Sequence, residues 1–366
     1  VDGYINVHLS PKIIASRVND IFWDSATVLL ISFLFVIELV LFLLLYIRRS
    51  LAGSDTAVRP TSPENARAEA PYLFGRTAAF GFLFAWALPV SFIPLQMRDL
   101  YEPMFGLTKE VILGLPLSVE MFCALVGALI AGSFSDKRGW HLPFLAGLLC
   151  SALGAFLSGT ATGGLEYILF RGLAGLGYGF AWMAIQSFIF ANTDAGTRAQ
   201  GISNLVAGIF SGHICGTAVG AMIAERIGYP LVFIISACLA LFPVLFTLFF
   251  MRRFMHKPDM ALARAPLTLK EFGRLIFNRN YFSILVFSLV PFSLCQVGLL
   301  FYAVPIYLDL LGISQSNIGR VLMIYGLSVV YLAPFISRYV DRFEQKKAFL
   351  ILGGFVGGLG LMSLYV

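Results

Sequence analysis

An all-α protein threaded repeatedly through a membrane is the fold class this sequence predicts, and three observations carry it. Of 366 residues, 58% are hydrophobic and 13% are charged, against about 25% charged in soluble domains. The apolar residues gather into ten runs of about 20 residues, the length a helix needs to cross a hydrocarbon core about 30 Å thick. Nearly all of the 26 Lys and Arg residues fall between those runs. The net charge of +6 therefore reads as membrane topology and not as a nucleic-acid patch.

The elements follow in chain order. Residues 1–24 form a segment before the first run. Ser10-Pro11 has the order of a helix cap and first turn, and Ile13, Ile14, Val18, Ile21 and Phe22 give that helix one apolar face. The segment lacks the basic start, short apolar core and small-residue site of a cleavable signal. It resembles the end of an extracytoplasmic Cache-type sensor followed by its exit helix; an ordinary amphipathic pre-membrane helix is the alternative. Residues 25–47 are a leader span, and 48–72, rich in Ala, Arg, Pro, Ser and Glu, are a linker. Spans one to six are expected at 73–96, 111–134, 142–160, 165–188, 203–222 and 230–251. A loop at 252–282 carries seven basic residues, suited to anionic headgroups. Spans seven to nine follow at 283–307, 316–336 and 348–366. With residues 1–24 outside, the inner loops hold 18 Lys and Arg and the outer loops five, so the positive-inside rule sets the orientation.

An internal repeat divides the chain at the basic loop. After span one come Pro94, Gly106-Leu107-Thr108 and Asp136-Lys137; after span seven come Pro305, Gly312-Ile313-Ser314 and Asp341-Arg342. Two halves built alike are a mark of duplicated transporter folds. The expected domains are a six-helix bundle at 73–251 and a second bundle at 283–366 of three helices. If the second half copies the first, three further spans are expected.

Ionisable residues inside spans are costly, about 2.5–3.5 kcal/mol each at the bilayer centre, and so face a cavity or a partner. They are Glu38 in the leader span, Glu120 in span two, Arg171 in span four and His213 in span five, with Gln96, Gln186 and Gln296 as neutral polar neighbours. Glu38 is read as a helix-helix contact. Glu120 lies ten residues from Glu110 and sixteen from Asp136, about 15 Å and 24 Å along a helix. It must be neutral, paired or facing a cavity. Arg171 and His213 are the candidate partners, although Arg171 lies near enough to one boundary to reach the interface instead. The four residues Glu120, Arg171, His213 and Gln296 are the expected coupling or substrate cavity. His213 also admits a purely structural reading, as does a protonated Glu120 bonded to a neighbouring helix. The five cysteines lie in apolar runs without metal or redox spacing and are read as small core residues. No metal site or cofactor is expected.

The corner between spans two and three reads Gly132, Ser133, Phe134, Ser135, Asp136, Lys137, Arg138, Gly139, Trp140, His141. It resembles the signature loop of the major facilitator superfamily, G-x-x-x-D-[RK]-x-G-[RK]-[RK], with Trp140 and His141 in place of the final basic pair. Gly132 would allow close helix approach and Gly139 a tight turn. Span four carries Arg171 followed by Gly175, Gly177 and Gly179, similar to the family's R-x-x-x-G-x-G pattern. Span five carries Gly212, Gly216 and Gly220, like its antiporter motif, with Thr217 where a Pro is expected; simple close packing is the alternative. The second corner keeps Asp341 and Arg342 but has Ser337 and Glu344 at the glycine positions. The resemblance implies that Gly132, Asp136, Lys137, Arg138, Gly139, Asp341 and Arg342 form a gate between the halves, Asp136 facing the three further spans that the repeat implies, and Arg198 in the loop after span four. The alternative is a solvated basic turn.

The resemblance implies an alternating-access transporter of a small solute, with proton-coupled efflux of a hydrophobic or cationic molecule as the leading expectation. The rival is a transporter-like receptor that relays an extracytoplasmic signal without transport, which the extra leader span favours. No enzyme is expected, since no hydrolase triad, zinc-protease motif or phosphate loop is present. The expected setting is the bacterial inner membrane, with the N-terminus outside, a small molecule, protons and lipid as partners, and no nucleic acid. Oligomeric state is not legible in the sequence.

Overall fold

A computed structural model describes residues 11–52, 71–104, 106–193, 197–255, 273–274, 277–343 and 346–362. The chain divides into two compact units, 1–56 and 57–366.

Among the described residues the first unit is one helix, Pro11–Ala52, of 42 residues, about 63 Å long. Its membrane-length apolar part is Phe22–Leu44. The helix that starts at Pro11 runs straight into the leader span, because no Gly or Pro interrupts the run. It passes through Arg48 and Arg49 to Ala52. Ser10 and linker residues 53–70 lie outside the described residues.

The second unit is built of helices packed on helices. Span one is Pro71–Ala87 continued by a turn at Val90–Phe92 and a helix at Ile93–Asp99. It breaks at Pro89, which lacks an N–H and clashes with the preceding turn. Span two is Lys109–Arg138, with Glu110 in its first turn and Lys137 and Arg138 in its last, both favourable to the helix dipole. It ends where Gly139 takes φ +91°. Span three is His141–Thr160 and span four Gly164–Ala191. Span five, Arg198–Ile227, runs unbroken, since Thr217 keeps the backbone N–H that a Pro would remove. Span six is Tyr229–Leu239 and Leu241–Phe250. Span seven, Phe282–Leu310, contains π-helical stretches at Leu285–Leu289 and Leu294–Ala303 around Pro291. Spans eight and nine are Gln315–Phe343 and Lys346–Met362.

Eight described helices are long and apolar enough to cross a membrane, the leader and spans one to seven. Spans eight and nine run partly through residues whose side chains lie outside those described, and the described apolar stretch of span nine is Ile351–Gly360. Leu129, Phe122, Leu153, Leu169 and Phe249 are exposed, as expected of side chains that meet lipid, which is as apolar as they are. The cysteine expectation needs correction: all five are free, but Cys215 alone is buried and Cys238 is exposed, because span six turns it away from the bundle.

Glycines set the helix spacing. A Cβ on Gly212, Gly216 or Gly220 would strike the carbonyl oxygens of Phe80, Phe84 and Leu88 respectively. The stripe on span five therefore lies directly on the backbone of span one. On span four, Gly175 and Gly179 meet the backbone of Glu120 and Ala124 in span two, while Gly177 meets Ser151 in span three. The R-x-x-x-G-x-G pattern thus lets one helix approach two neighbours on opposite faces.

Spans seven and eight pack on the first six. Gly319 and Gly326 of span eight face Ala221 and Ile214 of span five. Four described hydrogen bonds join these groups, all at the end that carries Arg98. Arg98 Nη1 donates to Asp309 Oδ2 at 2.6 Å. The Ser316 amide and hydroxyl donate to Glu225 Oε2 at 2.9 Å and 2.5 Å. The Tyr302 hydroxyl donates to the Glu110 carbonyl.

Candidate functional site

The site begins with the close approach of spans two and four. Gly175 has no side chain, so the backbone of span four rests against Glu120. Arg171, one turn earlier, shares that face. Its Nε donates to Glu120 Oε2 at 3.2 Å and its Nη2 to Oε1. Glu120 is 0% exposed and Arg171 1%. Two opposite charges are sealed together, which offsets much of the cost of taking each out of water.

Span one supplies the third donor. The Trp86 indole N–H donates to Glu120 Oε1 at 3.0 Å. Span one is held there by the glycine stripe of span five and by Ser236, whose hydroxyl donates to the Ala85 carbonyl at 2.7 Å. The far side of Arg171 is closed by the Phe233 ring, 5.6 Å from the guanidinium carbon. Four residues before Arg171, the Tyr167 hydroxyl donates to the Ile93 carbonyl. A cavity of about 10 Å³ beside the pair, lined by Trp86, Arg171, Ser151 and Ser236 among others, has room for no more than one water.

From Trp86 a row of rings crosses the bundle. Its centroid lies 4.5 Å from Tyr178 and 6.0 Å from His213. Tyr178 lies 5.7 Å from Trp182, and His213 lies 5.7 Å from Phe301 of span seven. Trp86, Tyr178, Trp182 and His213 are half-buried. Spans one, four, five and seven thus present one aromatic surface, whose faces attract cations and flat apolar groups.

The expected cavity residues fare differently. Glu120 and Arg171 come together, so of the two placements open to Arg171 the structure has the carboxylate and not the interface. His213 is not a partner of Glu120; the Trp86 ring stands between them. Gln296 is half-buried on span seven, with no hydrogen bond to Glu120, Arg171 or His213. Trp86 was missed by the sequence reading. The signal was its place in mid-span, since membrane tryptophans favour the interfaces.

At the corner, Asp136, Lys137 and Arg138 are exposed. No ion pair joins Asp136 to Arg198. The Arg198 guanidinium lies over the Phe190 ring at 5.5 Å, and that of Arg138 over Phe134 at 5.1 Å. Gly132 is also corrected. A Cβ there would meet the Met183 side chain at 3.7 Å, an ordinary contact that an alanine could make. Trp140, in place of the family's basic residue, is buried and donates to the Phe254 carbonyl at 3.1 Å. It ties the start of the basic loop to the corner. Asp341 and Arg342 lie within the helix of span eight, and their side chains lie outside the described residues.

Comparison with known proteins adds three findings. The family model described as Major Facilitator Superfamily matches residues 77–366. The chain is 25% identical over 274 residues to "Multidrug resistance protein MdtG" of Citrobacter koseri, covering 72% of this chain and 64% of that protein. A protein of the same name from Klebsiella pneumoniae is 25% identical over 278 residues, with 73% and 64% covered. The chain therefore spans less than two thirds of the length of these relatives. Among solved structures, the crystal structure of the D-xylose-proton symporter superposes with a TM-score of 0.55 at 17% identity, covering 74% of this chain and 68% of that one. The partially occluded inward-open xylose transporter XylE from E. coli gives 0.53 at 16% identity, with 74% and 70% covered. These structures share the fold.

Proposed function

The chain belongs to the Major Facilitator Superfamily, and from that premise we propose that it is a secondary transporter that expels a small hydrophobic or cationic solute in exchange for protons. The observation that carries this reading is the buried Glu120–Arg171 pair with Trp86 as its third donor. A carboxyl in that position can exist charged against Arg171 or neutral with a proton, and a helix movement that separates the pair exchanges one state for the other. The aromatic row beside it supplies the surface for the solute. Alternating access brings the row and the carboxyl to each side in turn. The names of the MdtG relatives agree with efflux of this kind.

In this reading the Asp136 corner and the basic loop lie in the cytoplasm, in a bacterial inner membrane, and residues 1–24 lie outside. The 73–251 bundle and the spans from 283 onward are the two moving halves. Thiol labelling of single cysteines tests the orientation; ready labelling of position 137 or 270 from outside intact cells overturns it.

The test of function is Glu120→Gln in proteoliposomes. The variant is expected to bind solute and to lose accumulation driven by a pH gradient. If it still concentrates solute against such a gradient, Glu120 is not the coupling group. A receptor reading is favoured by the 42-residue leader helix. Solute flux through wild-type proteoliposomes separates the two, because a receptor binds without moving its ligand.

A further inference from the structure

Three donors hold the Glu120 carboxylate, and they differ in freedom. Those of Arg171 are fixed in this conformation, since that side chain is 1% exposed, lies against Phe233 and sits one turn from the Gly175 contact, and they part from Glu120 only with a movement of the helices. The third, the Trp86 N–H, belongs to a half-buried ring whose face is part of the aromatic row. The polar edge of one side chain thus touches the buried charge while its ring is part of the half-buried aromatic row. We propose that Trp86 is a positioning residue that makes proton binding at Glu120 and ligand binding on the aromatic row mutually exclusive. The proposal rests on the reading that Glu120 is the coupling carboxyl.

The physical argument concerns the strength of one hydrogen bond. A bond from an indole N–H to a charged carboxylate is roughly twice as strong as one to a neutral acid. While Glu120 is charged, it fixes the indole at 3.0 Å and presents the ring beside Tyr178, 4.5 Å away, as a stacking face. A proton from the aqueous side that binds Oε1 takes the lone pair that the indole uses. The indole is then released, and the face it made with Tyr178 is lost. By linkage, a ligand stacked on that face favours the charged carboxylate and expels the proton to water. No bond other than O–H is made or broken.

The groups that face Glu120 are few. Span four contributes Arg171, Tyr167 and Tyr178, and its own span contributes Cys123. Span five contributes His213, which stands across the Trp86 ring. Span one contributes Trp86, which carries no charge. Trp86 is therefore the described side chain that hydrogen-bonds the carboxylate and also packs, tilted, against the rings of the row.

The experiment measures binding of tetraphenylphosphonium to the purified full chain on both sides of neutrality, in wild type, Trp86→Phe and Glu120→Gln. Phenylalanine keeps a ring and removes the N–H. Wild-type affinity is expected to fall about tenfold on acidification, the scale of one hydrogen bond to a charged group. Trp86→Phe is expected to flatten that to less than about twofold and to abolish proton release on ligand addition. If Glu120→Gln flattens the profile and Trp86→Phe does not, the role of Trp86 is overturned and the coupling reading stands. If Glu120→Gln leaves the profile intact, the coupling reading itself fails. Should Trp86→Phe not purify as a monodisperse protein, 19F NMR of the chain labelled with 5-fluorotryptophan decides, since it has four tryptophans. One resonance that moves with acid in wild type and is still in Glu120→Gln supports the proposal; four that ignore acid overturn it.

Discussion

Gly175 of span four lies so close to the backbone carbonyl of Glu120 in span two that no Cβ fits between them. The contact fixes the helix separation at which Arg171 reaches the carboxylate. Gly175→Ala is expected to cost about 1–3 kcal/mol, as overpacking does, and to weaken the ion pair by pushing the helices apart. Gly357 of span nine has nothing within 4 Å of an added Cβ. Gly357→Ala should be neutral or stabilising by up to about 1 kcal/mol through helix propensity. Thermal unfolding in detergent checks both, and equal losses from the two would remove the packing argument.

The buried pair predicts a pattern among variants. Arg171→Met leaves a carboxylate sealed without its counter-ion, and removing one partner of such a pair costs about 3–5 kcal/mol unless the survivor is neutralised. The double variant Glu120→Leu with Arg171→Met replaces charge by packing and should recover most of that loss. It should not recover transport driven by a pH gradient. A double variant as unstable as Arg171→Met alone would mean that the pair's charge is not what the single substitution exposes.

Much of this arrangement was legible in the sequence. Runs of 20 apolar residues and the charge between them give the helices of the leader and of spans one to nine, because the bilayer imposes one length on every crossing. Glu120 and Arg171 were legible too, since each is expensive in hydrocarbon and each answers the other. Trp86 was not, for a tryptophan carries no such cost and its bond to Glu120 depends on how three helices stack. The locked position of Arg171 was equally hidden, because it follows from the Gly175 contact and not from distance along the helix. The corner pattern gave a turn at Gly139, where φ +91° excludes most side chains, but not Trp140, whose indole is used to hold Phe254.

Arg98 and Asp309 occupy equivalent places in the two repeats, four residues after Pro94 and after Pro305. Related helices meet at one end, where opposite charges pair. The side chains are 29% and 21% exposed, so Asp309→Asn should change stability by less than about 1 kcal/mol. Its effect is expected on conformation. With Glu225→Gln, which weakens the bonds to Ser316, it should loosen this end and favour opening there. A cysteine at Gly114, whose Cβ would lie 3.6 Å from the Tyr302 ring, should react faster with a membrane-impermeant thiol reagent in that double variant. Unchanged labelling would show that these bonds do not hold the end closed.

Asp136 offers the cleanest separation of stability from activity. It lies exposed in the last turn of span two, where the helix dipole is negative and a carboxylate is unfavourable. The neighbouring Lys137 and Arg138 suit that position; Asp136 does not. No described ion pair offsets its cost, since the Arg198 guanidinium rests on Phe190. Asp136→Asn should therefore be neutral or stabilising by up to about 0.5 kcal/mol. A residue kept against local electrostatics is a candidate for a contact made in another state of the transporter, and the gate reading of the corner supplies one. The variant is expected to insert and unfold like wild type yet to transport several-fold more slowly in proteoliposomes. Lys137→Gln, which loses a favourable charge at the same turn, should show the opposite stability change, a loss of about 0.3–1 kcal/mol. Full transport by a stable Asp136→Asn protein would leave the corner as a solvated basic turn.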